Sequence, residues 1–314
     1  IQSRSAESIL REVRALRRMD DFRGTISDLG GPTANMYQMA CKDDKIEAAC
    51  RRMSCVFPDI CENLGTDHGP LVKLMKAVRE EEGVNRVYLA SGIRYDLAER
   101  SPEFIHDLAK YHTGGQLSVA PEHSKKDVLD RMKKPGIESY ERFAEEFRCA
   151  SEAAGKNQFL VPYFISGHPG STLKEMVDLA LYLKKNNSRP RQVQDFIHTD
   201  VHGRVHDHTG IDPFTGKPVY TAKDLRDKRL QKALLFYWDP THHDEAREAL
   251  IQAGRADLIG TKPHCLVPPA TGKGALSIHE RRKQEAGREG QQGRLGKRGA
   301  GTRPARPAKP PRPR

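Results

Sequence analysis

Phe159-Leu-Val-Pro-Tyr-Phe-Ile-Ser-Gly-His-Pro-Gly170, with the segment Leu173 to Lys185 that follows it, decides the fold class of this 314-residue chain. Phe159 to Ile165 is an apolar run of strand length, and Ser166 to Gly170 is turn chemistry. Leu173 to Lys185 then supplies a helix. Strand, polar Gly/Pro turn and helix in that order make up half of a parallel βαβ unit.

The same rhythm recurs upstream. Ser5 caps a helix in which Ile9, Val13 and Leu16 share a face, with Glu7 in the first turn where the helix dipole favours an acid. Arg23 to Leu29 reads as a strand that stops at Gly30-Gly31-Pro32. Leu71 to Glu82 is helical and leads to a strand over Val84 to Ala90, ending at Ser91-Gly92. A helix over Ser101 to Tyr111 precedes a strand over Gln116 to Ala120, which ends at Pro121-Glu122-His123. Tyr140 to Ala154 is helical with Phe143 and Phe147 on one face. Downstream, Gln192 to Ile197 is a further strand, and Thr221 to Gly260 is helical with Leu230, Leu234 and Tyr237 spaced at four and three.

About five strands alternate with helices, too few for an eight-unit barrel but enough for a partial one. In such a barrel the loops after the strands form the working face. That places Gly30, Ser91, Glu122, His168 and the segment after Phe196 around one mouth. The expected architecture is α/β, a partial (β/α) barrel over residues 1–208, with a helical C-terminal extension over 209–271. Beyond about Gly272, Gly, Pro, Arg and Gln dominate and almost nothing apolar remains to bury, so residues 272–314 are expected to be a disordered basic tail.

Charge is concentrated in that tail. Arg281 to Arg314 carries twelve Lys or Arg against Glu285 and Glu289, a net +10 of the chain's +11. The body is therefore near neutral, and attraction to nucleic acid would be weak and would reside in the tail. Aromatic residues are 6% of the chain and none forms a stacking platform near the tail, which argues against sequence-specific recognition of single strands. No run approaches the roughly 18 apolar residues of a membrane span, and the N-terminus lacks a signal-peptide pattern. These features predict a soluble, cytoplasmic protein without a membrane partner. Residue 1 is Ile and the first turn is already helical in pattern, as in a chain that begins in mid-domain with a part upstream missing.

Four of the six cysteines, Cys41, Cys50, Cys55 and Cys61, lie within twenty-one residues. Thiols this dense in a chain without a secretory signal suggest a metal or iron-sulfur site more readily than a disulfide staple. Their spacing fits neither the paired cysteines of common zinc sites nor the bacterial ferredoxin run. Four soft ligands suit zinc or an auxiliary iron-sulfur cluster. The alternative is four reduced thiols, some buried as small hydrophobes. Glu47 to Arg52 reads as a helical turn, so at least two ligands would come from loops. His198, His202, His206 and His208 form a second cluster, three of them at i, i+4 spacing, but Gly203 and the polar surroundings favour a loop with incidental histidines. Cys265 is most simply structural.

Several segments together resemble the YgiQ group of radical SAM proteins. They are Ile1-Gln-Ser-Arg-Ser5 with Ser8-Ile9, Asp28-Leu-Gly-Gly-Pro-Thr-Ala-Asn-Met-Tyr37, the four-cysteine segment, Ala90-Ser-Gly-Ile-Arg-Tyr-Asp-Leu97, Ala120-Pro-Glu-His123 with Met132-Lys-Lys-Pro-Gly136, and Pro162 to Gly170. The likeness covers most of residues 1 to about 268. It implies a 4Fe-4S cluster held by three thiolates and S-adenosylmethionine bound at the fourth iron site. One-electron reduction, fed by an external donor, would cleave the sulfonium to a 5'-deoxyadenosyl radical that attacks a still unknown substrate.

The resemblance also assigns the cradle. Gly30 and Gly31 match the glycine pair whose carbonyls meet the methionyl ammonium, Glu122 would contact a ribose hydroxyl or the ammonium, and Gly167, His168 and Pro169 match the loop bordering the adenine. Taken singly, each of these is also ordinary turn chemistry.

Two departures stand beside this. Pro32 occupies the place of the acid common after the glycine pair, and Ile197 to His208 lacks the family's pattern. A third is decisive for chemistry: no cysteine triplet here has the C-x3-C-x2-C spacing that holds the main cluster. The chain is thus expected to be part of a radical SAM enzyme and inactive alone. The competing reading is a non-enzymatic four-cysteine zinc module that holds nucleic acid through its basic tail.

Overall fold

A computed structural model of the chain describes residues 2–31, 33–196, 209–212 and 215–270. The chain divides at Val267–Pro268, and the fold below belongs to the unit Ile1–Val267. It is mixed α/β with parallel sheets.

Helix α1 (Ala6–Leu16) starts as its sequence dictates: the Ser5 hydroxyl accepts from the Ser8 amide, and Val13 is buried. The chain then forms β1 (Thr25–Ile26), which pairs in parallel with β2 (Arg86–Val87). The expected strands Arg23–Leu29 and Val84–Ala90 are longer than this regular ladder for a physical reason. Backbone bonds continue past it, from Leu29 N to Tyr88 O at 2.8 Å, but at its end the Asp28 carboxylate replaces a backbone carbonyl and accepts from the amides of Ala90 (2.8 Å) and Ser91 (3.3 Å). A side chain thereby holds together the two turns that follow β1 and β2.

Between these strands lie α2 (Asp44–Ala49), capped by Asp43, and α3 (Gly69–Arg79), which buries Leu71, Leu74, Met75 and Val78. After β2 come α4 (Tyr95–Ala98) and α5 (Pro102–Asp107). The helix expected over Ser101 to Tyr111 is α5 continued by a wide π turn over Leu108–His112. That turn brings His112 inward, where its Nδ1 lies 2.9 Å from the Val87 carbonyl.

Strands β3 (Gln116–Glu122), β4 (Phe159–Ser166) and β5 (Val193–Asp195) form a second parallel sheet in sequence order. Between β3 and β4 stand α6 (Lys126–Arg131) and α7 (Ile137–Ala153), the latter burying Phe143 and Phe147 as its spacing predicts. Between β4 and β5 stands α8 (Leu173–Lys185), started by a capping box in which Thr172 and Glu175 satisfy each other's backbone amides. A single parallel bridge, Ile93 to Val119, links the two sheets. The described strands therefore do not close a barrel.

Among the described residues two helices follow, α9 (Leu225–Leu235) and α10 (His243–Gln252). The continuous helical pattern from Thr221 to Gly260 is broken at Asp239-Pro240, where Asp239 caps a short 3-10 turn. Two large apolar clusters result. One joins α1, α3, α5 and α7 to β1, β2 and β3, and the other joins α8, α9 and α10 to Phe164 and Val193. Leu230, Leu234 and Tyr237 are buried in the second, so the C-terminal helices pack on the sheet layer within the same unit. Cys265 is buried beside Asp257, as a structural thiol would be. No described helix is long and apolar enough to cross a membrane.

Candidate functional site

The turn after β2, residues within β3 and β4, strand β5 and the Lys134-Pro135 segment converge on one cavity of about 450 Å³, a size suited to a small organic ligand. Ser91, Arg94, Ser118, Lys134, Tyr163 and Gln194 are among its walls. Ser118 and Tyr163 stand on adjacent strands with their hydroxyls 3.3 Å apart. The charges at the wall are paired internally. Arg94 grips Asp96 with two bonds, Nε to Oδ1 at 3.0 Å and Nη2 to Oδ2 at 2.5 Å. Lys134 Nζ lies 2.9 Å from Glu122 Oε1 and donates to the Ala120 carbonyl at 3.0 Å. The cavity therefore presents hydroxyl, amide and balanced ionic groups rather than a net charge.

Glu122 is set by backbone irregularity. The register between β3 and β4 shifts between Val119 and Glu122, and Glu122 itself takes a left-handed φ of 65°. A non-glycine residue in that region is uncommon and clusters at functional sites.

Gly30 and Gly31 do not line this cavity. They open on a second one of about 450 Å³ between α1, β1 and α3, and Thr33 lines both. The two glycines differ in what they permit. A Cβ at Gly30 would lie 2.7 Å from the Ala34 Cβ, whereas one at Gly31 would meet nothing within 4 Å. Gly30 thus serves packing, and Gly31 leaves its backbone approachable.

Gly167, His168 and Pro169 are held from behind. Gln231 of α9, fully buried, accepts from the Gly167 amide at 2.9 Å and donates to the Ser171 carbonyl at 2.8 Å. His168 Nδ1 lies 2.8 Å from the Pro169 carbonyl, and its ring meets Phe196 edge-on at 4.6 Å. Gly170 has φ 85°, and its amide donates to the Tyr220 carbonyl. Behind the loop, buried His123 accepts from the Lys125 amide at Nδ1 and faces the Ser171 hydroxyl at 3.3 Å through Nε2. Burial, reinforced by the charge of His168, pushes the His123 pKa down to about 3. The expectation of one mouth therefore resolves into three neighbouring settings: the cavity with Ser91 and, through Lys134, Glu122; the Gly30-Gly31 turn on the second cavity; and the braced Gly167–Pro169 loop.

Cys41, Cys50, Cys55 and Cys61 occupy one irregular excursion. Cys50 and Cys55 are exposed, Cys41 and Cys61 are half-buried, and all four are free thiols. Among the described residues no group of three or more His, Cys, Asp or Glu side chains is gathered as a metal ligand set. The helical turn expected over Glu47 to Arg52 is α2, ending at Ala49 with Cys50 as its C-cap. His198, His202, His206 and His208 fall outside the described residues.

Sequence reasoning passed over Asn35, His68, Lys134, Tyr163 and Gln231. Asn35, Lys134 and Tyr163 lie inside the segments quoted above, and Tyr163 alternates with buried Phe164 along β4, so a period-two reading of that strand points to it. His68 and Gln231 carry no local signal, because their role is set by what they meet across the fold.

Comparison with known proteins gives the family. A family model described as a domain of unknown function, DUF3362, matches residues 191–309. A UPF0313 protein of Rhodopseudomonas palustris is 50% identical over 287 residues, covering 88% of this chain and 42% of that protein. One from Bradyrhizobium diazoefficiens is 51% identical, with 88% of this chain and 43% of the relative covered. For one from Chromobacterium violaceum the identity is 48% over 293 residues, with 91% and 38% covered. The chain thus spans less than half the length of the curated relatives it matches. Identity near one half along nearly all of this sequence leaves one conclusion: the chain belongs to the UPF0313 family, the YgiQ proteins.

Proposed function

We propose that this chain is the cofactor- and substrate-facing part of a radical SAM enzyme whose reaction is unassigned. The observation that supports it is the cavity at the carboxyl ends of parallel strands, where ligands collect in α/β folds.

The residues present fit S-adenosylmethionine and do not fit its cluster. For the cofactor, the open side of Gly31 allows backbone approach, Glu122 is a carboxylate in a special backbone conformation paired to the cavity-lining Lys134, and Gly167–Pro169 is a braced loop. By the resemblance, Gly30, Gly31, Glu122, Gly167, His168 and Pro169 would hold it, from settings beside the cavity and not from among the residues that line it. When bound beside a reduced 4Fe-4S cluster, S-adenosylmethionine supplies a carbon radical that abstracts hydrogen. No C-x3-C-x2-C triplet exists in this sequence, and no three described thiols are gathered as ligands, so no step through the cluster is assigned to this chain. Its own residues bind and orient: Lys134 fixes the Glu122 carboxylate, Gln231 fixes the Gly167 loop, and Ser118, Tyr163 and Gln194 offer hydrogen bonds to whatever enters the cavity.

Titration calorimetry of the chain with S-adenosylmethionine tests this, beside Gly31→Ala. A methyl group at Gly31 has free space in the fold, so Gly31→Ala is expected to leave the melting temperature unchanged while weakening binding at least about tenfold. Absence of binding by the parent chain, or full binding by a folded Gly31→Ala, overturns the assignment. For the whole protein, the reconstituted Rhodopseudomonas palustris relative is expected to release 5'-deoxyadenosine on reduction.

A further inference from the structure

We propose that Cys55 and Cys61 form a reversible disulfide, a thiol switch on the loop that packs beneath the cavity wall. The inference does not depend on the cofactor reading.

The four-cysteine excursion is closed twice. Its neck is an antiparallel contact between Cys41 and Leu64, flanked by bonds from Gly65 N to Ala40 O at 2.9 Å and from Lys42 N to Asn63 O at 2.8 Å. Within it, the Cys61 amide donates to the Cys55 carbonyl at 2.8 Å. A backbone bond of that length brings the two Cα atoms within roughly 6.5 Å of each other, inside the upper limit of the roughly 4.4–6.8 Å that a disulfide spans. The Arg52 guanidinium clamps the same small loop, donating to the carbonyls of Ser54 (2.7 Å) and Asp59. The backbone bonds of Cys41 and Cys50 lead elsewhere, to the neck and to Glu47.

Access is graded in the way an exchange reaction needs. Cys55 is exposed, while Cys61 is half-buried with Val56 and Ile60 against Met39, Leu64 and Leu97. With glutathione disulfide as oxidant, the Cys55 thiolate attacks one sulfur and expels one glutathione thiolate, leaving a mixed disulfide. The Cys61 thiolate then attacks Cys55 Sγ and expels the second. Two electrons pass from the cysteine pair to glutathione, and the two protons leave the thiols for solvent and the released glutathione. The ring is short and gains less from loop closure than a long-range staple would, which favours a reversible bond over a permanent one. Leu97 belongs to α4, whose first residues Tyr95 and Asp96 line the mouth cavity, so the switch lies one side chain from the candidate site.

Tryptic mapping reads the pair directly, because Cys41, Cys50 and the Cys55/Cys61 pair fall in separate peptides. The reduced full chain is equilibrated with glutathione and glutathione disulfide, alkylated and digested. Peptide Met53–Lys73 is expected to lose two hydrogens and resist alkylation, and to recover both thiols in excess glutathione. Cys61→Ser should stop at a glutathione adduct on Cys55. Arg52→Ala, which removes the clamp and no thiol, should lower the ring-closing equilibrium about tenfold. Cross-links through the Cys41 or Cys50 peptides, glutathione adducts without ring closure in the parent chain, or one zinc per chain protecting all four thiols would each overturn the proposal.

Discussion

Asn35 Nδ2 donates to His68 Nε2 at 3.2 Å inside the core, and the same amide spans the Arg94 backbone, donating to its carbonyl at 2.9 Å and accepting from its amide at 2.7 Å. One fully buried side chain therefore ties the turn after β1 to the start of α3 and to the cavity wall. Asn35→Ala removes these bonds together and strands polar groups that water cannot reach. Each orphaned group costs about 1–3 kcal/mol, so a loss of roughly 3 kcal/mol is expected in urea denaturation. A loss under about 1 kcal/mol would show that the turn is held by other contacts.

The same pair makes stability depend on pH. His68 is stacked on Phe104 with ring centroids 4.4 Å apart, and burial pushes its pKa down to about 4. Burial also lowers the pKa of His112, and that of His123 to about 3. In the unfolded chain a histidine protonates near 6.5. The stability of the neutral, buried rings is therefore complete above about pH 6.5 and is lost as pH falls through the folded values. His68 alone contributes roughly 3 kcal/mol of that loss between about pH 6.5 and 4. Unfolding free energies of the parent and of His68→Phe across this range should show a shallower slope in the variant, and equal slopes would remove His68 from the account.

Much of this architecture was legible in the sequence. The boundaries of α8 follow from its apolar spacing, and β4 ends within a residue of its expectation because Gly167 enforces the turn. Local pattern was weaker where side chains replace backbone. The Asp28 carboxylate shortens the regular β1–β2 ladder, and His112 draws the end of the α5 segment into a π turn. The site divides in the same way. Glycine and proline turns announce themselves, whereas Gln231 acts on a loop more than sixty residues away and carries no local signature. The four cysteines are conspicuous by spacing, yet only the fold shows which two share a backbone hydrogen bond.

Gln231 can be tested as a brace through its chemistry. The Gly167 amide needs an acceptor and the Ser171 carbonyl needs a donor, and a carboxamide provides both. Gln231→Glu keeps the shape but, when ionised, has no donor for Ser171 and buries a charge. It is expected to destabilise the fold more than Gln231→Ala, which should cost about 2 kcal/mol. Lowering the pH enough to protonate the glutamate should narrow the gap between the variants. If Gln231→Glu equals the parent at neutral pH, the loop does not rely on this amide.

Gly30 tests whether the glycine pair is required for space or for conformation. Neither glycine has a left-handed φ, so an alanine is not barred by backbone strain. The obstacle at Gly30 is the Ala34 methyl group, 2.7 Å from where a new Cβ would stand. Gly30→Ala is therefore expected to cost about 1–3 kcal/mol through overpacking. The double variant Gly30→Ala/Ala34→Gly removes the clash and should recover about 1 kcal/mol or more relative to the sum of the two single changes. Additive costs would mean that the clash relaxes elsewhere and that Gly30 is glycine for another reason. Because Gly31 has open space where Gly30 has none, the adjacent substitutions should separate cleanly: the first acts on stability, the second on ligand approach.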